Sequence, residues 1–222
     1  MGPKRLYPSN QKVHDCRVFV AALAAFVALA GAWASAHAQP VATELSGPAL
    51  LAALRSGGYV LFFRHAATDF GQNDDNMTGY EDCSTQRNLT DQGREDARAI
   101  GTELRTLGIP VSDVLASPFC RTRETAQLIF GRVTVTAAAR GGPAQPDSPE
   151  RYAALRELLA KPVPRGTNRA IVSHGNPYRA VVGGPYLAEG EAAVIEPRGA
   201  GGFHEVARVR PAAWRELEVV PK

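Results

Sequence analysis

The sequence lacks several features that would assign it to a common class of protein. Its most apolar stretch, residues 18–34, falls short of the roughly 20 residues that a membrane-spanning helix needs. The segment "VSHGN" does not supply the G-x-S-x-G turn of α/β serine hydrolases, and the histidines lack zinc-ligand spacing such as H-E-x-x-H. The sequence also has no internal repeat. These absences argue against a membrane-anchored protein, a serine hydrolase and a zinc hydrolase.

An excess of positive charge is also missing from most of the chain. Four of the 25 basic residues and one of the 22 acidic residues lie before position 39, so the remainder carries 21 of each. A near-neutral chain offers no diffuse basic surface for nucleic acid or anionic lipid. We therefore expect no nucleic-acid partner.

Residues 1–38 are predicted to be a secretory signal peptide. Small residues at positions 36 and 38 fit the positions that signal peptidase reads, and no cysteine follows at a lipidation position. A membrane anchor is the weaker alternative, so we expect a secreted, periplasmic protein with no stable membrane span after cleavage. Residues 39–222 are then long enough for one well-buried domain. The basic residues before the apolar stretch are Lys4, Arg5, Lys12 and Arg17.

Two cysteines, Cys83 and Cys120, follow the predicted signal. An oxidising compartment favours a disulfide between them, and the alternative is a pair of buried thiols that do not meet. A bridge closing a loop of this length would stabilise the fold by about 4 kcal/mol in the chain-entropy model.

Short apolar runs alternate with helical periods, which indicates a layered α/β fold. Thr90 is predicted to cap a helix that Gly108 ends, and residues 189–211 read as a two-stranded antiparallel unit. The other predicted strands are 59–63, 111–117, 133–137 and 169–175, and the other predicted helices are 118–130 and 149–160.

Charged and polar residues stand where three predicted strands end. Arg64 and His65 end the first, Arg121 lies one helical turn beyond the second, and His174 follows the third. Ligands of open α/β sheets bind beyond the carboxyl ends of the strands. An arginine in the first turn of a helix opposes the helix dipole unless an anion lies there. The pattern therefore predicts a site for a phosphate-like dianion.

Two histidines at such a site suggest phosphoryl transfer. A neutral imidazole can attack phosphorus to give a phosphohistidine, which water then hydrolyses. Two arginines and the second imidazole would stabilise the oxygens of the phosphoryl group, and this chemistry requires no metal.

The motifs "RHAAT", "SPFCRTRETA" and "VSHGN" resemble those of the histidine phosphatase (phosphoglycerate mutase-like) superfamily. The resemblance implies a three-layer α/β/α sandwich with a mixed, mostly parallel central sheet, and no metal or cofactor. It implies that His65 is the nucleophile in a pocket that also contains Arg64, Arg121 and His174. Thr68 and Asn176, within the first and third motifs, are additional phosphate-binding candidates.

Ala66 stands where the family signature has glycine. If the backbone there requires positive φ, the added methyl group would cost stability or narrow the pocket.

The leaving oxygen needs a proton donor, usually a carboxylic acid. Glu189 is the favoured candidate, Glu191 is second, and Asp69 competes with both; solvated loop charges are the alternative for the two glutamates. Residues 70–88 form a polar insert expected to contact the non-phosphate part of the substrate. The acidic cluster at 74–76 is read as a solvated turn rather than a metal site.

The sequence therefore predicts a secreted phosphomonoesterase that hydrolyses a small-molecule or envelope-linked phosphate ester through a phosphohistidine on His65. A phosphomutase is one alternative, disfavoured outside the cytoplasm. The other is a protein of the same fold that binds a phosphorylated ligand without turning it over.

Overall fold

A computed structural model describes residues 44–141 and 148–218. The predicted signal segment, residues 1–38, lies outside these ranges. Within them, no helix is both long enough and apolar enough to cross a membrane.

Helices and strands alternate along the described chain. Short 3₁₀ turns occupy several connections, among them Cys83–Thr85, Ala137–Ala139 and Pro211–Glu216. The α-helices are α1 (Gly47–Ser56), α2 (Asp91–Thr106), α3 (Cys120–Phe130), α4 (Ala153–Ala160) and α5 (Gly175–Val181). The strands are β1 (Val60–Arg64), β2 (Val111–Ala116), β3 (Thr134–Val135), β4 (Asn168–Ser173), β5 (Ala192–Pro197) and β6 (Phe203–Val209).

The six strands form one sheet in the order β3-β2-β4-β1-β5-β6. The first four are parallel, whereas β5 runs antiparallel to both β1 and β6. The predicted mixed, mostly parallel sheet and the antiparallel pair at the end of the chain are both confirmed.

Helices cover both faces of the sheet. On β1, Leu61 and Phe63 pack with α1, α2 and α3, whereas Val60 and Phe62 face α4 and α5. All four side chains are fully buried, which explains why this strand is an uninterrupted apolar run. The arrangement is the three-layer α/β/α sandwich that the resemblance implied.

Helix α2 begins as predicted, because the Thr90 side chain accepts a hydrogen bond from the Gly93 N–H at 3.0 Å. Helix α3 begins at Cys120, two residues after the predicted start, because Phe119 is extended and occupies the N-cap position. Arg121 therefore lies in the first turn of α3, as expected.

Helices α1 and α5 were not predicted. Helix α1 carries the signals of a helix, with Pro48 near its start and buried leucines at 50, 51 and 54. Helix α5 has seven residues and includes a glycine and a proline, so its local propensity is weak. The strand predicted at 133–137 is shorter in the structure, where β3 consists of Thr134 and Val135.

Candidate active site

His65 follows β1 directly, and its backbone N–H donates to the Ser173 carbonyl of β4 at 3.0 Å. Its Nδ1 lies 2.9 Å from the Ala66 carbonyl oxygen. A carbonyl can only accept, so Nδ1 carries the proton and Nε2 keeps its lone pair. Burial is the main reason that the pKa of His65 is lowered to about 3. The hydrogen bond with Ala66 acts in the opposite direction, and the charge of Arg121 lowers the pKa further. The ring is therefore a neutral imidazole with an available nitrogen.

His174 follows β4 and precedes α5. Its Nε2 lies 2.8 Å from the hydroxyl of Ser117, the residue after β2. The ring centroids of His174 and His65 are 5.5 Å apart. Burial lowers the pKa of His174 well below its usual value, and the neighbouring His65 and Arg121 lower it further. Two neutral imidazoles therefore face each other across the ends of three strands.

Two arginines complete this group. Arg64 donates from Nη1 to the Leu187 carbonyl at 2.8 Å and from Nη2 to Glu189 at 3.4 Å. The guanidinium carbon of Arg121 lies 4.2 Å from the centre of the Phe119 ring. Parallel strands bring all four predicted residues to one cavity of about 510 Å³, which Arg64, His65, Arg121 and His174 line together.

Asp74, from the insert, binds Arg121 inside this cavity. Its two carboxylate oxygens accept from the two terminal nitrogens of Arg121 at 3.0 and 3.1 Å. Burial alone would raise the pKa of Asp74, but the hydrogen bond from the Arg87 N–H and those from Arg121 outweigh it, and the pKa lies below its usual value. The Asp74 carboxylate therefore occupies the two terminal nitrogens of Arg121 that would otherwise bind a phosphoryl group.

The insert is fixed beside α3 by the predicted disulfide. Cys83 and Cys120 are bonded, with their Cα atoms 5.7 Å apart. The Gln86 side chain adds to this link, because it accepts from the Cys120 N–H at 3.0 Å and donates to the Tyr80 carbonyl at 3.1 Å. The bridge is thus confirmed, and it ties residues 70–88 to the start of the helix that carries Arg121.

The predicted proton donors lie outside the cavity lining. Glu189 accepts from the Thr68 hydroxyl at 2.7 Å and from the Thr68 N–H at 3.2 Å, and it lies 3.8 Å from His65 Nδ1. Glu191 accepts from the Ala188 N–H at 2.6 Å. Of the remaining sequence candidates, Asn176 lines the cavity, whereas Thr68 and Asp69 do not.

Ala66 places its methyl group away from the cavity. The residue is 1% exposed and belongs to the apolar core, and its N–H donates to the Thr125 hydroxyl at 3.0 Å. Ala66 is not among the residues that line the cavity, so its methyl group does not narrow it.

Further charged side chains line the cavity that the sequence reasoning did not single out. Arg140 follows β3, so the rule that ligands bind beyond strand ends could have found it. Arg87 precedes α2 and closes the insert, but a lone arginine there carries no distinctive signal. The acidic cluster at 74–76 was predicted to be a solvated turn, which is wrong for Asp74, because it lines the cavity and binds Arg121; Asp75 lines the cavity as well. The charged residues that sequence reasoning missed are Arg87, Arg140 and Arg151.

Over the described ranges, no group of three or more histidine, cysteine, aspartate or glutamate side chains could hold a metal ion.

One family model matches part of the chain. Residues 60–142 match the model of the histidine phosphatase superfamily, branch 1. Over these residues the chain is similar to the histidine phosphatase superfamily, in agreement with the resemblance of its motifs.

Among curated proteins, the chain is similar to the mitochondrial serine/threonine-protein phosphatase Pgam5 of Drosophila willistoni, with 29% identity over 156 residues. The Drosophila virilis protein of the same name is 28% identical over 156 residues. Each match covers 58% of this chain and 50% of the relative, so the chain spans about half the length of these relatives.

Among solved structures, the chain is similar to the putative phosphohistidine phosphatase SixA from Agrobacterium tumefaciens, with a TM-score of 0.47 and 17% identity. That match covers 69% of this chain and 99% of the other. The Mycobacterial hydrolase 1 structure has a TM-score of 0.48 and 15% identity, covering 67% of this chain and 96% of the other.

Proposed function

We propose that this protein is a phosphomonoesterase that works through a phosphohistidine on His65. The observation that carries the proposal is the convergence of two neutral imidazoles, 5.5 Å apart, and two guanidinium groups on one cavity. Similarity to a family of phosphatases supports it. The substrate class is a small-molecule or envelope-linked phosphate ester.

In the first step, Nε2 of His65 attacks phosphorus in line with the leaving oxygen. The bond from phosphorus to that oxygen breaks, and its electron pair stays on the oxygen, which takes a proton. Arg64, Arg121 and His174 stabilise the three equatorial oxygens. A water then attacks the phosphohistidine and gives a proton to the carboxylate that donated one in the first step, and the bond to Nε2 breaks to release inorganic phosphate.

Arg121 can bind the phosphoryl group after the Asp74 carboxylate leaves its fork. Asp74 then lies beside a dianion, which raises its pKa and favours the protonated form. We therefore propose Asp74 as the proton donor to the leaving oxygen. Glu189 contacts Arg64 and Thr68 and lies near His65 Nδ1, which suits a positioning residue.

The proposal includes secretion to the periplasm and independence of metal ions. A disulfide suits an oxidising compartment, and arginines supply the positive charge that a metal would otherwise provide. Fractionation of cells that produce the full chain should place the protein outside the cytoplasm. Activity should persist after treatment with EDTA.

The decisive test is acid-quenched trapping of the enzyme with a radiolabelled phosphate ester. The wild-type protein should retain covalent label, His65→Ala should retain none, and His174→Ala should carry less label at the same position. His204→Ala is the matched control, because His204 lies on β6 and does not line the cavity. Phosphate binding without label in the wild type would overturn the proposal and favour a binding protein.

A further inference from the structure

The cavity carries more positive charge than one phosphoryl group requires. Its volume of about 510 Å³ lies in the usual range for the binding site of a whole small molecule. Two arginines and two imidazoles complete the surroundings of a phosphoryl group, so further cations must face another part of the substrate. The charged residues lining the cavity are Arg64, Arg87, Arg121, Arg140 and Arg151, with the carboxylates Asp74 and Asp75.

Arg140 has no carboxylate partner within the described part of the chain. Arg64 and Arg121 each have one, Glu189 and Asp74 respectively. The Nε of Arg140 is buried, and no described residue accepts a hydrogen bond from it. Burying a cationic donor without an acceptor is costly, so the position favours binding of an anion.

Aromatic rings place this guanidinium close to the phosphoryl site. Its central carbon lies 5.7 Å from the ring centres of both Tyr80 and Phe119. Arg121 lies over the same Phe119 ring, and that ring contacts His174 edge-on at 5.0 Å between centroids. An anion on Arg140 would therefore be close to a phosphoryl group on Arg121, but not in the same place.

The backbone that carries Arg140 is tied to the strands that build the phosphoryl site. The Thr136 N–H donates to the Ala116 carbonyl at the end of β2, at 2.8 Å. The Ser173 hydroxyl at the end of β4 donates to the Ala139 carbonyl. The same strand ends that position Ser117 and His174 therefore position Arg140, which makes it part of a built site.

The residue after Arg140, Gly141, has a backbone conformation that only glycine adopts readily. Gly141 has φ of 94°, and a Cβ there would lie 2.5 Å from Cε1 of Tyr152. A left-handed glycine packed on a ring fixes the direction of the turn, because any larger residue would clash. The residue next to Arg140 therefore packs directly on Tyr152, which also lines the cavity.

We propose that Arg140 binds a second anionic group, a phosphate or a carboxylate, on the leaving-group part of the substrate. The substrate class is a phosphate ester whose alcohol carries a second negative charge. This inference rests on the proposed function, because it names the substrate class of the same site.

The test compares two esters with similar leaving groups, phenyl phosphate and carboxyphenyl phosphate. The wild type should show a kcat/KM about ten-fold higher for the carboxyphenyl ester, the effect of one charge-assisted hydrogen bond. Arg140→Gln should reduce this ratio to near one, and Arg140→Lys should retain part of it. Because both esters are measured on one sample, a partial loss of folded protein cancels from the ratio.

The matched control is Arg98→Gln, an exposed arginine on α2 outside the cavity, which should keep the wild-type ratio. Equal turnover of both esters by the wild type would overturn the inference and leave the proposed function standing. If neither ester is hydrolysed, the proposed function fails, and calorimetry with pyrophosphate and inorganic phosphate decides the question of the second anion. Tighter pyrophosphate binding that Arg140→Gln abolishes supports it, and equal affinities overturn it.

Discussion

In the proposed mechanism, Asp74 takes part both in substrate binding and in proton transfer. In the structure its carboxylate holds both terminal nitrogens of Arg121, so a substrate phosphoryl group must displace it. In the proposed mechanism, the displaced carboxyl group then donates its proton to the leaving oxygen. Glu189 differs from Asp74 because it does not line the cavity. Its carboxylate accepts hydrogen bonds from Thr68 and Arg64, which hold it in place.

Kinetics with leaving groups of different basicity should separate these two carboxylates. Asp74→Asn should lower kcat for glycerol phosphate by about 100-fold or more, the usual contribution of a general acid. Its effect on dinitrophenyl phosphate should be much smaller, because that leaving group departs without a proton. Glu189→Gln should lower kcat for both esters by similar factors, since it acts through the position of His65 and Arg64.

Asp69→Asn is the control for this comparison, because Asp69 is exposed and accepts from the Gly71 N–H outside the cavity. It should leave both rates unchanged. A loss specific to glycerol phosphate in Glu189→Gln, with none in Asp74→Asn, would assign the proton donor to Glu189 instead.

Helix α2 is the element that connects the core to the segment following His65. Two of its glycines allow backbone contact: a Cβ on Gly93 would lie 2.2 Å from the Ala67 carbonyl oxygen. A Cβ on Gly101 would lie 2.3 Å from the Ile129 carbonyl oxygen of α3. The first contact supports the loop after His65, and the second sets the distance between two helices.

Replacing each glycine by alanine should separate these two roles. Both Gly93→Ala and Gly101→Ala should destabilise the protein by about 1–3 kcal/mol in urea unfolding, because overpacking exceeds the gain in helix propensity. Gly93→Ala should also lower kcat, since it displaces the backbone next to Ala66 and His65. Gly101→Ala should retain kcat in the folded fraction.

Gly79→Ala provides the reference, since a Cβ at this position would have no atom within 4 Å and the φ of the residue is ordinary. Its stability should stay within about 0.5 kcal/mol of the wild type. Unchanged stability in Gly93→Ala would show that the loop after His65 can move at little cost.

At the scale of the whole molecule, the sequence predicts the parts of the fold that repeat a strong local pattern. The apolar run of β1 and the capped, amphipathic α2 are seen where they were predicted. The short α5 could not be predicted in this way, because its helical turns depend on packing, with Tyr178 fully buried between strands and α4.

The site follows the same division. The residues at the ends of parallel strands, among them Arg64, His65 and His174, could be predicted because the topology alone brings strand ends together. Asp74 could not, since its position depends on a disulfide-tied insert. Arg140 follows a predicted strand, but its position in the cavity also depends on long-range hydrogen bonds to the ends of β2 and β4. Long-range contacts of this kind leave no periodic signal in a sequence.

Burial of two neutral histidines gives the whole molecule a dependence of stability on pH. The pKa of His65 falls to about 3 in the folded state, chiefly through burial, and the pKa of His174 is lowered for the same reason. The unfolded chain binds protons near pH 6.5, where the folded state binds none at these rings. Stability is therefore full above pH 6.5 and falls as the pH decreases below it, towards pH 3.

Urea unfolding between pH 7.5 and 5 should reveal this loss, in a window above the range where most carboxylates titrate. By pH 5, His65 alone should reduce the free energy of unfolding by about 2 kcal/mol. The double variant His65→Asn/His174→Asn should show a flatter profile, whatever its stability at pH 7.5, because neither side chain can bind a proton. His204→Asn, on β6, is the control for replacing a histidine elsewhere in the fold. Its free energy of unfolding should depend on pH as that of the wild type does. A double variant as steep as the wild type would mean that other groups carry the pH dependence, and that the two imidazoles are more accessible to protons than the structure indicates.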